Sequence, residues 1–116
     1  MFDLRDRTKQ FALQIIRMYS ALPPTTEAQV MGKQVLRSGT SVGAHYREAS
    51  RSRSTAEYIS KIGGGLQELE ETLYWLELLV ESEIVPIDKL QGLTQEAQEI
   101  MAILGTMLKK AKQTKQ

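Results

Sequence analysis

Residues Gln34 to Glu70 read QVLRSGTSVGAHYREASRSRSTAEYISKIGGGLQELE, and polar, small and basic residues recur there at helical spacing where a plain bundle would carry leucine. At 100° per residue, Lys33, Arg37, Arg47 and Arg51 fall on one stripe of a helix, Gly32, Gly39 and Gly43 on a second, and Val35, Ser38, Val42 and Ala49 on a third. One helix thus carries a charged face, a smooth face and a core face.

Working outward, the apolar pattern is helical throughout, with no alternating run long enough for a strand. Leu4, Thr8, Phe11, Ile15, Met18 and Leu22 mark the buried stripe of a first helix, which Pro23 and Pro24 end. Thr25 or Thr26 then caps the second helix, which is expected to run to about Arg53. Ser54-x-x-Glu57 reads as a capping box opening a third helix, with Ile59, Ile62, Leu66, Leu69, Leu73, Leu76 and Val80 as its core stripe. Val85 and Pro86 mark the last turn. The fourth helix then presents Leu90, Leu93, Ala97, Ile100, Leu104, Met107 and Ala111 inward, its C-terminal lysines suiting the negative end of the helix dipole. The expectation is one all-α domain over 1–116, an antiparallel up-down four-helix bundle with helices near 3–22, 26–53, 55–83 and 86–112.

Composition narrows the function classes. The 116 residues include no cysteine, so disulfides, thiolate metal sites and thiol nucleophiles are excluded. No apolar run approaches the ~18–20 residues of a membrane span, and the charged start MFDLRDRTKQF does not suit a secretory leader, so a soluble cytoplasmic protein is expected. The net charge of +1 hides a division: residues 1–54 carry nine Lys/Arg against four Asp/Glu, and residues 55–116 six against ten. That asymmetry suits either a basic face for nucleic acid or two halves that attract each other.

The glycines are costly. Each interior helical glycine forfeits ~1 kcal/mol relative to alanine, so Gly63-Gly64-Gly65 demands a return, most simply close backbone approach. That approach belongs either inside the monomer or to a subunit contact. The smooth face of Gly32, Gly39 and Gly43 offers a place for another helix and so hints at oligomerisation.

Gln34, Arg37-Ser38, Ser41-Val42-Gly43 and Glu48, followed by Tyr58-Ile59 and Leu66-Gln67-Glu68-Leu69-Glu70, resemble the central motif of the bacterial four-helix bundle proteins. That family includes the proteins encoded in intervening sequences of 23S ribosomal RNA genes and is related to the accessory variability determinant of diversity-generating retroelements. His45-Tyr46 stands where the family usually has Asn and an apolar residue, Ala49-Ser50 where it usually has a glycine, and Gly63-Gly64-Gly65 where it commonly has Ala-x-Gly-Ser. The resemblance implies a homopentamer with a basic surface or channel. For the retroelement relatives it also implies binding to nucleic acid and to a reverse transcriptase.

Among candidate sites, Ser41, His45 and Glu48 share one helix face, which invites comparison with a nucleophile, base and orienting acid. Side chains on one straight helix run roughly parallel, however, and nothing nearby supplies an oxyanion hole, so no catalytic role, metal or cofactor is expected. The plainer reading is a polar layer between helices formed by Gln34, Arg37, Ser38, Ser41, His45, Glu48 and Glu68, and the resemblance, which keeps Arg37-Ser38 together with the acids of Leu66–Glu70, implies that Arg37 bridges to Glu68, Glu70 or Glu71. If partly buried, that pair would cost ~3–5 kcal/mol to break. Lys33, Arg47, Arg51 and Arg53 are the candidates for phosphate contact, the last two beside the capping box. Tyr74 and Trp75 are expected to pack rather than to stack on bases. The function expected is a non-enzymatic oligomer that binds RNA or DNA backbone, accessory to a processing enzyme. The alternative is a protein-interaction scaffold that binds no nucleic acid.

Overall fold

A computed structural model of the chain describes residues 3–114, of which four α-helices take nearly all: α1 Leu4–Ser20, α2 Thr26–Ser50, α3 Thr55–Glu81 and α4 Ile87–Thr114. The molecule is a rod of 49 × 22 × 21 Å. A 28-residue helix is about 42 Å long at ~1.5 Å per residue, so the helices lie along the rod and turns of four or five residues force them antiparallel. Each helix packs on its neighbours in sequence, and α4 closes the ring on α1 by the thinnest of the four seams.

Local chemistry sets the boundaries. The Asp3 carboxylate accepts from Arg5 N–H at 3.0 Å to start α1, and Thr25 Oγ1 accepts from Ala28 N–H at 3.3 Å to start α2. Glu57 N–H donates to Ser54 Oγ at 3.0 Å, one arm of the expected capping box. The returning arm is displaced by one residue, Arg53 N–H reaching Glu57 Oε2 at 3.4 Å. Three helices end earlier than their sequence pattern, α1 at Ser20, α2 at Ser50 and α3 at Glu81, whereas α4 runs on to Thr114. At the close of α2, Arg51 N–H and Ser52 N–H turn back to Glu48 O and Ala49 O, both at 3.1 Å, so Arg51 caps the helix and Arg53 lies beyond it. After α3, Glu83 takes a positive φ of 63° where the chain reverses toward Pro86.

Phe11, Ile15, Val35, Val42, Ile62, Leu69, Leu76, Leu79, Leu90, Ile100 and Leu104 are fully enclosed. Each such burial contributes roughly 1.5–3 kcal/mol. The stripe of α3 is rotated from its sequence expectation. Ile62, Leu69 and Leu76 are buried as expected, but their companions are Gly65, Thr72 and Leu79, while Ile59, Leu66, Leu73 and Val80 lie half-buried on the flank. Thr72 is tolerated inside because it donates to Glu68 O at 2.7 Å and shares a 2.8 Å hydrogen bond with the buried Ser38 hydroxyl. Both hydroxyls are thereby satisfied.

The smooth face of α2 is used within the monomer, which removes it as an argument for oligomerisation. A Cβ at Gly32 would lie 2.6 Å from Leu22, one at Gly39 2.8 Å from Ile15, and one at Gly43 3.1 Å from Thr8, so α1 and the turn that follows it occupy the whole strip. The triple glycine divides. Gly65 lies against Leu104 and Gly64 against the His45 ring, whereas a Cβ at Gly63 would meet nothing within 4 Å.

Gly39→Ala and Gly63→Ala therefore diverge in urea denaturation. The first should lose about 1–2 kcal/mol, because Ile15 is fully enclosed and has nowhere to move. The second should gain up to ~1 kcal/mol from helix propensity alone. Equal losses at both positions would refute this packing account.

Candidate nucleic-acid interface

The expected polar layer is two structures rather than one. Ser38 belongs to the core through Thr72, while the charged residues form a ladder along the outside of the α2–α3 seam. Trp75 Nε1 donates to Glu71 Oε2 at 3.0 Å, and Arg37 donates to the same carboxylate and to Glu68 Oε1 at 3.3 Å. Glu68 Oε2 lies 3.7 Å from His45 Nε2, His45 Nδ1 lies 3.2 Å from Glu48 Oε1, and Lys61 Nζ stands 3.5 Å from that same oxygen. Basic side chains and carboxylates alternate from Arg37 to Lys61.

The Arg37 bridge thus forms with two of the three acids proposed for it, and the exposed Glu70 takes no part. With the Arg37 side chain 50% exposed, its contribution falls to the surface range of about 0–1 kcal/mol, below the partly buried figure. Ser41 leaves the layer altogether, its hydroxyl donating to Arg37 O at 2.7 Å within its own helix, so the Ser41–His45–Glu48 constellation does not assemble. Gln34 is half-buried and joins none of these contacts. His45 Nδ1 is enclosed yet unbonded, the nearby Glu48 oxygen failing to give hydrogen-bond geometry. Tyr74 does not pack inward: it is 53% exposed and meets Trp75 edge-on, with ring centroids 5.1 Å apart.

The ladder ends in a basic groove. Arg47, Arg51, Arg53 and Lys61 line it together with Glu48 and Glu57, across the turn between α2 and α3. Helix α2 contributes Arg47, its cap Arg51 and the following turn Arg53, so three guanidinium groups come from three backbone settings. None of the three is paired with a carboxylate among the described residues. Lys61, which no sequence motif singled out, joins them because it lies two turns into α3, directly across the seam from Glu48. Lys33 does not belong to this group. Fourteen residues before Arg47, it is displaced by about 21 Å along the helix.

Topology adds more charge at the same end. Helix α4 runs antiparallel to α3, so its last turns, with Lys109, Lys110 and Lys112, return to the beginning of α3. Lys112 and Lys61 line a second groove beside Gly63, Gly64 and His45. The rod consequently has a basic pole built from α2, the α2–α3 turn, α3 and α4. At the other pole lie Glu27, Glu81, Glu83 and Asp88. Among the described residues, no group of three or more His, Asp or Glu side chains is placed to hold a metal ion, and no helix is long and apolar enough to cross a membrane.

A family model described as 23S rRNA-intervening sequence protein matches residues 2–106. Among solved structures, a protein with unknown function from the S23 ribosomal protein family of Bacteroides thetaiotaomicron VPI-5482 is similar, with a TM-score of 0.87 and 37% identity over 92% of this chain and 99% of that one. No curated protein matches.

The ladder makes a pH prediction. Hydrogen bonds from Arg37, and next from Trp75, hold the Glu71 carboxyl below its ordinary value, and on the α1–α4 seam Gln95 and then Arg7 do the same for Glu99. A depressed carboxyl contributes stability above its unfolded value of ~4.3, and that contribution is lost as pH falls through the lower folded value. The melting temperature should therefore fall steadily from pH 5 to pH 3 in the wild type and more shallowly in Glu71→Gln/Glu99→Gln. Parallel curves would show that these contacts add nothing.

Proposed function

The chain belongs to the 23S rRNA-intervening sequence protein family, and from that premise we propose that it binds the backbone of RNA or DNA at its basic pole. It does so as a non-enzymatic homo-oligomer, a pentamer in the cytoplasm, accessory to an RNA- or DNA-processing enzyme such as a reverse transcriptase. The observation that carries this reading is the groove where Arg47, Arg51 and Arg53 present unpaired guanidinium groups beside Lys61. Guanidinium forks suit phosphate oxygens, whereas Arg37, already held by Glu68 and Glu71, has no spare capacity for them.

The chemistry favours backbone contact over base readout. No aromatic side chain lines the groove, so nothing there offers a stacking platform, and affinity should come from phosphate neutralisation with little sequence preference. Glu48 and Glu57 share the groove and oppose an anion, which places a premium on repetition: five copies around a ring sum to a field that one copy does not reach.

Fluorescence anisotropy with labelled structured RNA, single-stranded DNA and duplex DNA across a salt series tests the proposal. Each neutralised phosphate should add roughly 0.7–0.9 to the slope of log affinity against log salt. Replacing Arg47, Arg51 and Arg53 together by alanine should lower that slope by about two, while Lys33→Ala and Arg37→Ala leave it near the wild-type value. Absence of binding at low salt would favour the protein scaffold. Sedimentation equilibrium gives the subunit number, and a monomer would remove the summed field.

A further inference from the structure

His45 is the only histidine of the chain, and it lies where the charged ladder meets the basic pole. Its ring stands between two carboxylates on different helices: Nδ1 is 3.2 Å from Glu48 Oε1 on α2, and Nε2 is 3.7 Å from Glu68 Oε2 on α3. Room for the ring comes from Gly64, where a Cβ would lie 3.1 Å from both Nδ1 and Cε1. A neutral imidazole has one N–H and cannot donate to both sides, and Nδ1 is enclosed without a hydrogen bond. An imidazolium has two N–H groups, one for each carboxylate. Histidine is the side chain that ordinarily titrates between pH 5 and 8, so this is where a proton can change the ladder near neutrality. The other charged groups around the ring are Arg37 on α2, Lys61, Glu70 and Glu71 on α3 and Lys112 on α4, and α1 lines neither of the grooves that they share with it.

We propose that His45 is a proton-operated clasp that sets how strongly the basic groove holds a phosphate, drawing Glu48 to the ring when protonated and leaving it to Lys61 when neutral. The clasp rests on the reading of that groove as a nucleic-acid backbone site. Glu48 carries the coupling, because one oxygen, Oε1, faces both His45 Nδ1 at 3.2 Å and Lys61 Nζ at 3.5 Å. Its side chain is 51% exposed, so it is free to swing until the Nδ1 proton points at it. With Glu48 turned to the ring, Lys61 loses that counter-ion and its ammonium joins Arg47, Arg51 and Arg53 in facing the groove. The groove gains twice, since a cation is released and the carboxylate that opposes an anion is neutralised from behind. Glu68 does not share this role: it lies outside the groove, is 17% exposed and already receives Arg37 at 3.3 Å, so it serves as the fixed anchor for Nε2.

The test is anisotropy titration of the full chain with a fluorescein-labelled oligouridine at pH 8 and at pH 6, with ionic strength held constant. Wild-type affinity should rise about three- to tenfold on acidification, as relief of one opposing charge in each copy of the groove requires. His45→Gln, which keeps a polar side chain but takes up no proton, should show one affinity at both pH values. Glu48→Gln should bind tightly already at pH 8 and change little at pH 6, because no carboxylate is left to move. A pH response that survives in His45→Gln, or a wild type that binds equally at both values, would overturn the clasp. So would Glu48→Gln responding to pH as the wild type does. Failure of every form to bind at either pH would instead sink the nucleic-acid reading, and the clasp is then read without RNA from the NMR resonance of the Lys61 ε-methylene in lysine-labelled protein. That resonance should move between pH 8 and pH 6 in the wild type and stay in place in His45→Gln; the same behaviour in both would overturn the clasp as well.

Discussion

The close approach of α1 to α2 over Gly32, Gly39 and Gly43 sets the geometry of the remaining bundle. Tyr19 and Leu22, Ile15 and Thr8 occupy the positions that side chains at those glycines would have taken. Such contacts form only in one register, because the backbone of α2 is bare at three points along a strip and nowhere else on that face. Thr8 illustrates the economy of the arrangement: its hydroxyl donates to Leu4 O at 2.7 Å, so a polar group can lie against Gly43 with no unmet hydrogen bond. The cost in helix propensity at three sites is offset by enclosure of Phe11 and Ile15.

Pinning α1 on one side of α2 leaves the opposite flank to α3, and there the chemistry changes from apolar to ionic. The buried Ser38–Thr72 hydroxyl pair marks the boundary between the two regimes. Inside it the helices meet through leucine and valine; outside it the side chains of Arg37, His45 and Lys61 interleave with the carboxylates of Glu68 and Glu48. These contacts are half-exposed and individually weak. Their effect is to fix which cations are already satisfied and which remain open to a ligand, so the division between Arg37 and the group of Arg47, Arg51 and Arg53 follows from packing rather than from residue type.

Much of this was legible in the sequence where the determining physics is local. Helix count, the Thr25 and Ser54 caps and the Pro23 and Pro86 turns all rest on spacing within one or two helices, whereas the Arg37 bridge, whose partners lie 31 and 34 residues away, was expected from the family resemblance. The rotation of α3 was hidden because Thr72 and Gly65 do not read as core residues. Thr72 becomes one only through a hydroxyl 34 residues away, and Gly65 through Leu104 on another helix. Lys61 and the lysines of α4 gave no sign of belonging with the arginines, since antiparallel topology brings them together. A helical wheel of α2 grouped Lys33 with Arg47 and Arg51 because angle ignores distance along the axis.

Trp75 is the only tryptophan in the chain, and its indole N–H is committed to the Glu71 carboxylate that also receives Arg37. The emission of an indole depends on its polar surroundings and on what its N–H donates to. The protein therefore carries, without any label, an optical probe seated at one end of its charged ladder. Whatever disturbs the ladder near Arg37 changes the field at that ring, so the state of the α2–α3 seam can be followed from the intrinsic fluorescence of a single residue.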